Sequence, residues 1–279
     1  MRVLDVKEIE AAVKNASIDV NVNVTKEMSD AIDDAIKKEE SPTGKDVLQQ
    51  LKTNARIARE KGIPFCQDTG VSIVYVRLGA DVDLHGNLYQ AINKGVAAGY
   101  EEGYLRKSVV SDPIKRVNTK DNTPAMVHVE LVDGDKVHIA FMAKGTGAEN
   151  MSRLKMMIPA EGAEGVKNFV LETVRLAGPN ACPPLNVGVG VGGTFEQVGW
   201  LAKKALMRPM NLRNPNPDYA AMELDLIRRI NDLGIGPMGF GGRITALDVR
   251  IEYGPCHIGA LPVAVNLDCH AHRVKEVVL

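Results

Sequence analysis

Aromatic residues are scarce, 4% of 279 residues, with a single tryptophan, Trp200. Charge of either sign is not in excess. Lys and Arg total 34 against 35 Asp and Glu, for a formal net charge of −1. Nothing in that balance would hold a phosphate backbone, so nucleic acid is not expected as a partner. Long apolar runs are missing as well. No stretch approaches the roughly 18 apolar residues that span a bilayer, so no membrane partner is expected. The opening residues Met1-Arg2-Val3-Leu4-Asp5-Val6-Lys7-Glu8 carry no signal-peptide apolar core, which makes a cytoplasmic location the expectation. Cysteine is sparse, at four residues: Cys66, Cys182, Cys256 and Cys269. No two form a CxxC pair, which argues against a thioredoxin-type motif or a zinc ribbon, and disulfides explain little in a cytosolic chain.

What the chain does have is turn chemistry, with 26 Gly and 14 Pro. Such a chain uses many residues for tight turns and close backbone approaches. The spacing of apolar residues predicts helices within 5–40, over about 43–60, 87–101, 161–177, 196–207 and 219–233. Strands are predicted over Val71–Leu78 and near 243–252 and 262–268. A hairpin is expected where Val127, Val129 and Leu131 alternate, Asp133-Gly134-Asp135 turns, and Val137, Ile139 and Phe141 alternate again. A hairpin and late consecutive strands argue against a purely parallel sheet. The fold class expected is α/β in the mixed α+β sense, helices around small mixed or antiparallel sheets, in one domain over 1–279.

Two stretches fit the GxGxxG pattern, Gly188–Gly193 and Gly234–Gly239. The first precedes a predicted helix, but the acidic residue a ribose would want about 20 positions on is replaced by Met210-Asn211-Leu212-Arg213. Two matches in a glycine-rich chain show how easily the pattern arises, and a dinucleotide is not expected.

Three cysteines, Cys66, Cys182 and Cys269, sit in loops at the ends of predicted elements, where a fold can converge them on one point. The plain alternative is that they are small buried apolar groups. As ligands they fit two chemistries. With His270 or His272 they could bind zinc. Alone they could hold three irons of a [4Fe–4S] cluster and leave the fourth iron open as a Lewis acid. Spacing does not choose between these. Asp68 follows Cys66 by two residues and could serve as a general acid or base, or simply form an Asx-type turn. Arg106 and Arg153 could clamp a carboxylate, or form surface ion pairs. His257, beside Pro255, could be a core histidine or a proton-transfer partner.

The segment Ile63-Pro64-Phe65-Cys66-Gln67-Asp68-Thr69-Gly70 resembles the first cluster signature of the class I fumarate hydratases and tartrate dehydratases. Lys144-Gly145-Thr146-Gly147-Ala148-Glu149-Asn150 resembles that family's glycine loop. Pro179–Pro184 with Gly188–Thr194, and Asn266–Ala271, resemble its second and third cysteine segments. The resemblance implies that loops hold a [4Fe–4S] cluster through Cys66, Cys182 and Cys269, with Cys256 outside the ligand set. It implies that Gln67, Asp68, Arg106 and the backbone at Gly147 face a small dicarboxylic acid, and that Asp68 and His257 form the acid pair. In the family the catalytic base belongs to a second region, fused or separate. The resemblance therefore implies the α subunit of a hydro-lyase with a separate β subunit, on a homodimeric core. Fumarate and (S)-malate are the expected substrate pair, with L-tartrate giving oxaloacetate as the alternative.

Overall fold

The computed structural model describes residues 1–210 and 212–279; Asn211, part of the stretch weighed above, lies outside the described residues. The elements in chain order are β1 (Arg2–Asp5), α1 (Val6–Val22), α2 (Lys26–Lys38), α3 (Pro42–Lys61), β2 (Val71–Gly79), β3 (Val82–His85), α4 (Leu88–Glu102), β4 (Met126–Val132), β5 (Val137–Lys144), α5 (Thr146–Glu149), β6 (Arg153–Met157), α6 (Gly162–Ala177), β7 (Leu185–Gly192), α7 (Phe195–Met207), α8 (Pro217–Asn231), β8 (Ala246–Gly254), β9 (Leu261–Asp268) and β10 (Val274–Val278). The fold is mixed α/β, built on small mixed sheets, as the sequence led us to expect. No described helix is long and apolar enough to cross a membrane.

The chain divides into two compact units, each discontinuous in sequence: 1–25 with 54–146 and 273–279, and 26–53 with 147–272.

In the first unit the sheet order is β10-β5-β2-β4. Strand β2 runs parallel to β4 and antiparallel to β5. Helices α1 and α4 supply Ile9, Val13, Val20, Ile92, Val96 and Tyr100 to a core shared with Val74, Val76, Ile139 and Phe141 of the sheet. Helix α1 begins where the Asp5 side chain accepts the Lys7 backbone N–H, a standard N-cap. The expected hairpin is corrected here. Both of its strands exist, but β2 lies between them, so they do not pair with each other. Alternation of apolar residues reports a half-buried strand, not its partner. The turn at 133–136 instead crosses the end of β2, accepting the backbone N–H of Gly79 at Lys136 and of Asp81 at Gly134.

In the second unit the order is β6-β9-β7-β8. One face packs Val187, Val189, Val191, Val249, Ile251, Val263 and Val265 under α6 and α8, with Phe169, Val170, Val174, Leu226 and Ile230. Helix α7 covers the other face, where Val198 and Ala202 meet Ala264. The glycine pattern belongs to this packing. Gly188 and Gly190 lie inside β7, and a Cβ on either would stand 2.2 Å from a carbonyl oxygen of α7, at Ala202 and Val198. Valines alternate with glycines because one face fills a core while the other admits a helix backbone.

Candidate functional site

In the first unit, Cys66 lies in the loop between α3 and β2. Helix α3 stops in a Schellman turn: Gly62 has φ +63°, and the Ile63 N–H bonds to the Ala58 carbonyl at 3.0 Å. The loop is then held from several sides. Phe65 N–H donates to the Asn21 carbonyl at 3.0 Å, and Asn54 Nδ2 donates to the Phe65 carbonyl at 2.7 Å. Buried Tyr100 donates its hydroxyl to the Thr69 and Gly70 carbonyls, at 2.7 and 2.9 Å. Burial pushes the Tyr100 phenol up to about 12, so it stays a donor. Gly70, at φ +80°, passes so close to β5 that a Cβ would lie 2.8 Å from the Lys144 nitrogen.

Asp68 sits at the centre of this loop with both carboxyl oxygens occupied. Oδ1 accepts the Gly70 N–H at 3.0 Å, which is the Asx-type turn weighed above. Oδ2 accepts the Thr146 N–H at 2.8 Å and the Thr146 hydroxyl at 3.2 Å. The Asp68 carbonyl accepts Nη1 of Arg273 at 2.5 Å, and the same nitrogen donates to Asn21 Oδ1 at 2.9 Å. Turn geometry and a fixed carboxyl are therefore compatible, not competing. Gln67 is exposed, with Oε1 3.9 Å from Cys66 Sγ. Arg106 is exposed, and its carbonyl accepts the Thr69 hydroxyl at 2.8 Å, so its backbone joins the loop. The structure thus gathers Cys66, Gln67, Asp68 and Arg106. Sequence reasoning missed Thr146, Tyr100 and Arg273.

In the second unit, antiparallel pairing places Asn186, near the start of β7, opposite Asp268, the last residue of β9. The turn carrying Cys182 and the loop carrying Cys269 therefore leave the same end of the sheet. They are joined by His270, whose N–H and Nδ1 lie 3.3 and 3.2 Å from the Cys182 carbonyl. A carbonyl only accepts, so Nδ1 carries the proton in that contact. Cys182 itself has φ +52°. His272, weighed above as a zinc ligand, is buried with Nδ1 2.6 Å from Asp268 Oδ2 and Nε2 3.4 Å from Arg250 Nη2. Both ring nitrogens are engaged, which removes it from the candidate ligands. Gly147 is exposed, and a Cβ there would lie 3.5 Å from the Asn180 carbonyl in the segment leading to Cys182. Arg153 is not a carboxylate clamp in this structure: it pairs with Glu172 at 3.3 Å and stacks 5.1 Å from the Phe169 ring centre.

His257 is exposed in the loop between β8 and β9, and Nδ1 accepts the Gly259 N–H at 3.1 Å. It borders a cavity of about 650 Å³ that Tyr219, Tyr253, Met222, Val166 and Asp218 also line. Cys256 beside it is exposed and directs its thiol to the Ala260 carbonyl at 3.4 Å. Asp68 and His257, which the resemblance pairs, belong to different units.

All four cysteines lie in loops, and none is in a disulfide. Among the described residues, no three His, Cys, Asp or Glu side chains gather as a ready-made ion site. The donor set still fits a cluster in kind: Cys66, Cys182 and Cys269 are half-buried thiols, and His270 ties the last two loops together.

Residues 10–278 match the family described as Fumarate hydratase (Fumerase). The chain is 41% identical, over 92% of its length and 93% of the relative's, to a Methanocaldococcus jannaschii protein with the provisional name L(+)-tartrate dehydratase subunit alpha. It is 35% identical, over 90% of its length and 85% of the relative's, to the L(+)-tartrate dehydratase subunit alpha of Escherichia coli strain UTI89. The corresponding Shigella sonnei protein is 34% identical over the same shares.

Proposed function

Because the chain belongs to the fumarate hydratase (Fumerase) family of hydro-lyases, we propose that it is the α subunit of an iron–sulfur enzyme that removes water from a four-carbon 2-hydroxydicarboxylate. All 279 residues would act as one catalytic domain, completed by a β subunit. Cys66, Cys182 and Cys269 would hold the [4Fe–4S] cluster. When bound, the cluster supplies an iron without a protein thiolate, a Lewis acid that makes hydroxide a better leaving group.

The chain's own residues have separate tasks. Gln67, Arg106 and the backbone at Gly147 would bind the substrate carboxylates. Asp68, fixed on both oxygens by Gly70 and Thr146, would hold or pass a proton at Oδ1, which accepts one N–H where Oδ2 accepts two bonds, as the hydroxyl departs. His257 would exchange a proton at Nε2, since Nδ1 is occupied by the Gly259 N–H. The β subunit would supply the base that removes the carbon-bound proton.

The single observation that carries this reading is one loop that holds both a half-buried thiol, Cys66, and the clamped carboxyl of Asp68. The names of the relatives put L(+)-tartrate ahead of (S)-malate as the substrate, reversing the order favoured by the sequence. The family description keeps fumarate and malate as the second reading. The test is an anaerobic absorption spectrum with iron and sulfide analysis, on wild type and Cys66→Ser together. The reading expects a brown wild type with about four irons per chain, and loss of both in the variant. A wild type that stays colourless after reconstitution with iron and sulfide overturns it. A panel of tartrate, malate and fumarate, run with the β subunit, then decides the substrate.

A further inference from the structure

The loop that carries Cys269 is closed by its own flanking side chains. Asp268 and His272 stand four residues apart, both buried, and bridge across the loop at 2.6 Å. Behind His272 lies Arg250, fully buried, with Nη2 3.4 Å from His272 Nε2 and 3.3 Å from Asn186 Oδ1. Arg250 Nη1 donates to the Arg208 carbonyl, and Nε lies 3.4 Å from Asp248 Oδ2. A guanidinium can only donate, so His272 accepts at Nε2 and carries its proton on Nδ1, aimed at Asp268. The chain of contacts therefore has one direction, from Arg250 through His272 to Asp268. It ends one residue before Cys269.

A fully buried arginine is a poor choice for stability alone, because well-packed apolar side chains do as well or better in such places. What a directional polar network adds is a single arrangement of the groups it ends on. Here those groups are the two residues that bracket Cys269. The next residue, His270, contacts the Cys182 carbonyl. Fixing one loop therefore fixes the turn beside it.

We propose that Asp268, His272 and Arg250 are positioning residues, which hold the Cys269 loop, and through His270 the Cys182 turn, ready to take up a cluster. The inference rests on the cluster reading above and assigns to these three residues a role distinct from ligation. A free loop would lose conformational entropy each time it bound metal, and a loop held in place beforehand does not.

The test compares the full-length chain with His272→Phe, which keeps the ring and removes both bonds, and with Asp268→Asn, which keeps an acceptor for Nδ1–H. Each thiol's alkylation rate in the metal-free chain is read by peptide mass spectrometry, with Cys66 in the other unit as the internal standard. Cys269 and Cys182 in His272→Phe should react about five- to tenfold faster, as loss of one net hydrogen bond does to a local opening, while Cys66 keeps its rate. Asp268→Asn should stay within about twofold of wild type. After reconstitution, His272→Phe should hold less iron and show an altered electron paramagnetic resonance spectrum. Unchanged rates at Cys269 and Cys182, equal acceleration at all three thiols, or an Asn variant as fast as the Phe one would overturn the proposal. If His272→Phe does not fold, His272→Gln is read by the same criteria. A wild type that takes up no iron defeats the function proposed above. A loaded wild type matched by His272→Phe in iron, spectrum and alkylation defeats this inference alone.

Discussion

The Thr146 backbone N–H meets Oδ2 of Asp68 at 2.8 Å, and the Thr146 hydroxyl meets the same oxygen at 3.2 Å. The two residues are 78 positions apart in sequence. This contact joins the segment that resembles the family's first cysteine signature to the one that resembles its glycine loop. It also separates a hydroxyl contribution from a backbone one. Thr146→Val removes the hydroxyl and leaves the N–H in place. With the β subunit present, kcat should fall about fivefold, the weight of one net hydrogen bond of ~1 kcal/mol, with iron content unchanged. A kcat equal to wild type would mean that the N–H alone orients the carboxyl.

Asp68→Asn should be far more severe. The amide can occupy the same space and still accept from Gly70 or Thr146, but it cannot pass a proton. Positioned acid–base groups contribute on the order of 10²–10⁴ in rate, and kcat should fall by that factor while cluster content and the visible spectrum persist. Steady-state rates beside iron analysis on one preparation check it. A variant that keeps its rate would return Asp68 to a purely turn-forming role.

The legible parts of this protein are those whose physical signal is local. Helix α3 ends where Lys61-Gly62-Ile63-Pro64 says it should, because Gly62 takes the left-handed turn that a side chain resists. The three cysteine loops stand out for the same reason. Strand β7 did not, because three of its eight residues are glycines, which strands generally avoid, and its purpose is visible only against α7. Partner choice in the sheet was hidden as well: β2 enters between β4 and β5 from 47 or more residues earlier in sequence, since 126 − 79 = 47. Arg273 reaches Asp68 across 205 positions, a distance at which periodicity carries no information. Its nearness to Cys269 in sequence was the only available hint.

The close approach of β7 to α7 can be tested by a single methyl group. In Gly188→Ala the new methyl would meet the Ala202 carbonyl at 2.2 Å, backbone against side chain, and α7 would have to move away. Overpacking of this kind costs about 1–3 kcal/mol, so the melting temperature should fall by roughly 2–12 °C at this chain length. Equilibrium titration with NADH should detect no binding in either protein. A Gly188→Ala variant as stable as wild type would mean that the strand and helix are not in close contact.

Glu39 offers a test by pH. Its carboxylate is buried between α2 and α3 and accepts four backbone N–H groups: Glu40 and Ser41 from its own turn at 2.8 and 2.9 Å, and Arg243 and Ile244, both at 2.8 Å. Burial alone would push the carboxyl up, but the four donors outweigh it and hold the group below its ordinary value of 4.5. A folded-state value below the unfolded one gives stability that is fully present above 4.5 and is lost as pH falls through the folded value. Glu39→Gln presents an amide NH₂ to donors that need an acceptor, at a cost of about 1–3 kcal/mol near neutral pH. Urea unfolding of wild type and variant from pH 7 downward should therefore show a gap that is constant at first, then narrows below 4.5 as the wild type protonates. A gap of constant size down to the acid limit would mean that Glu39 is not held as a carboxylate by these donors.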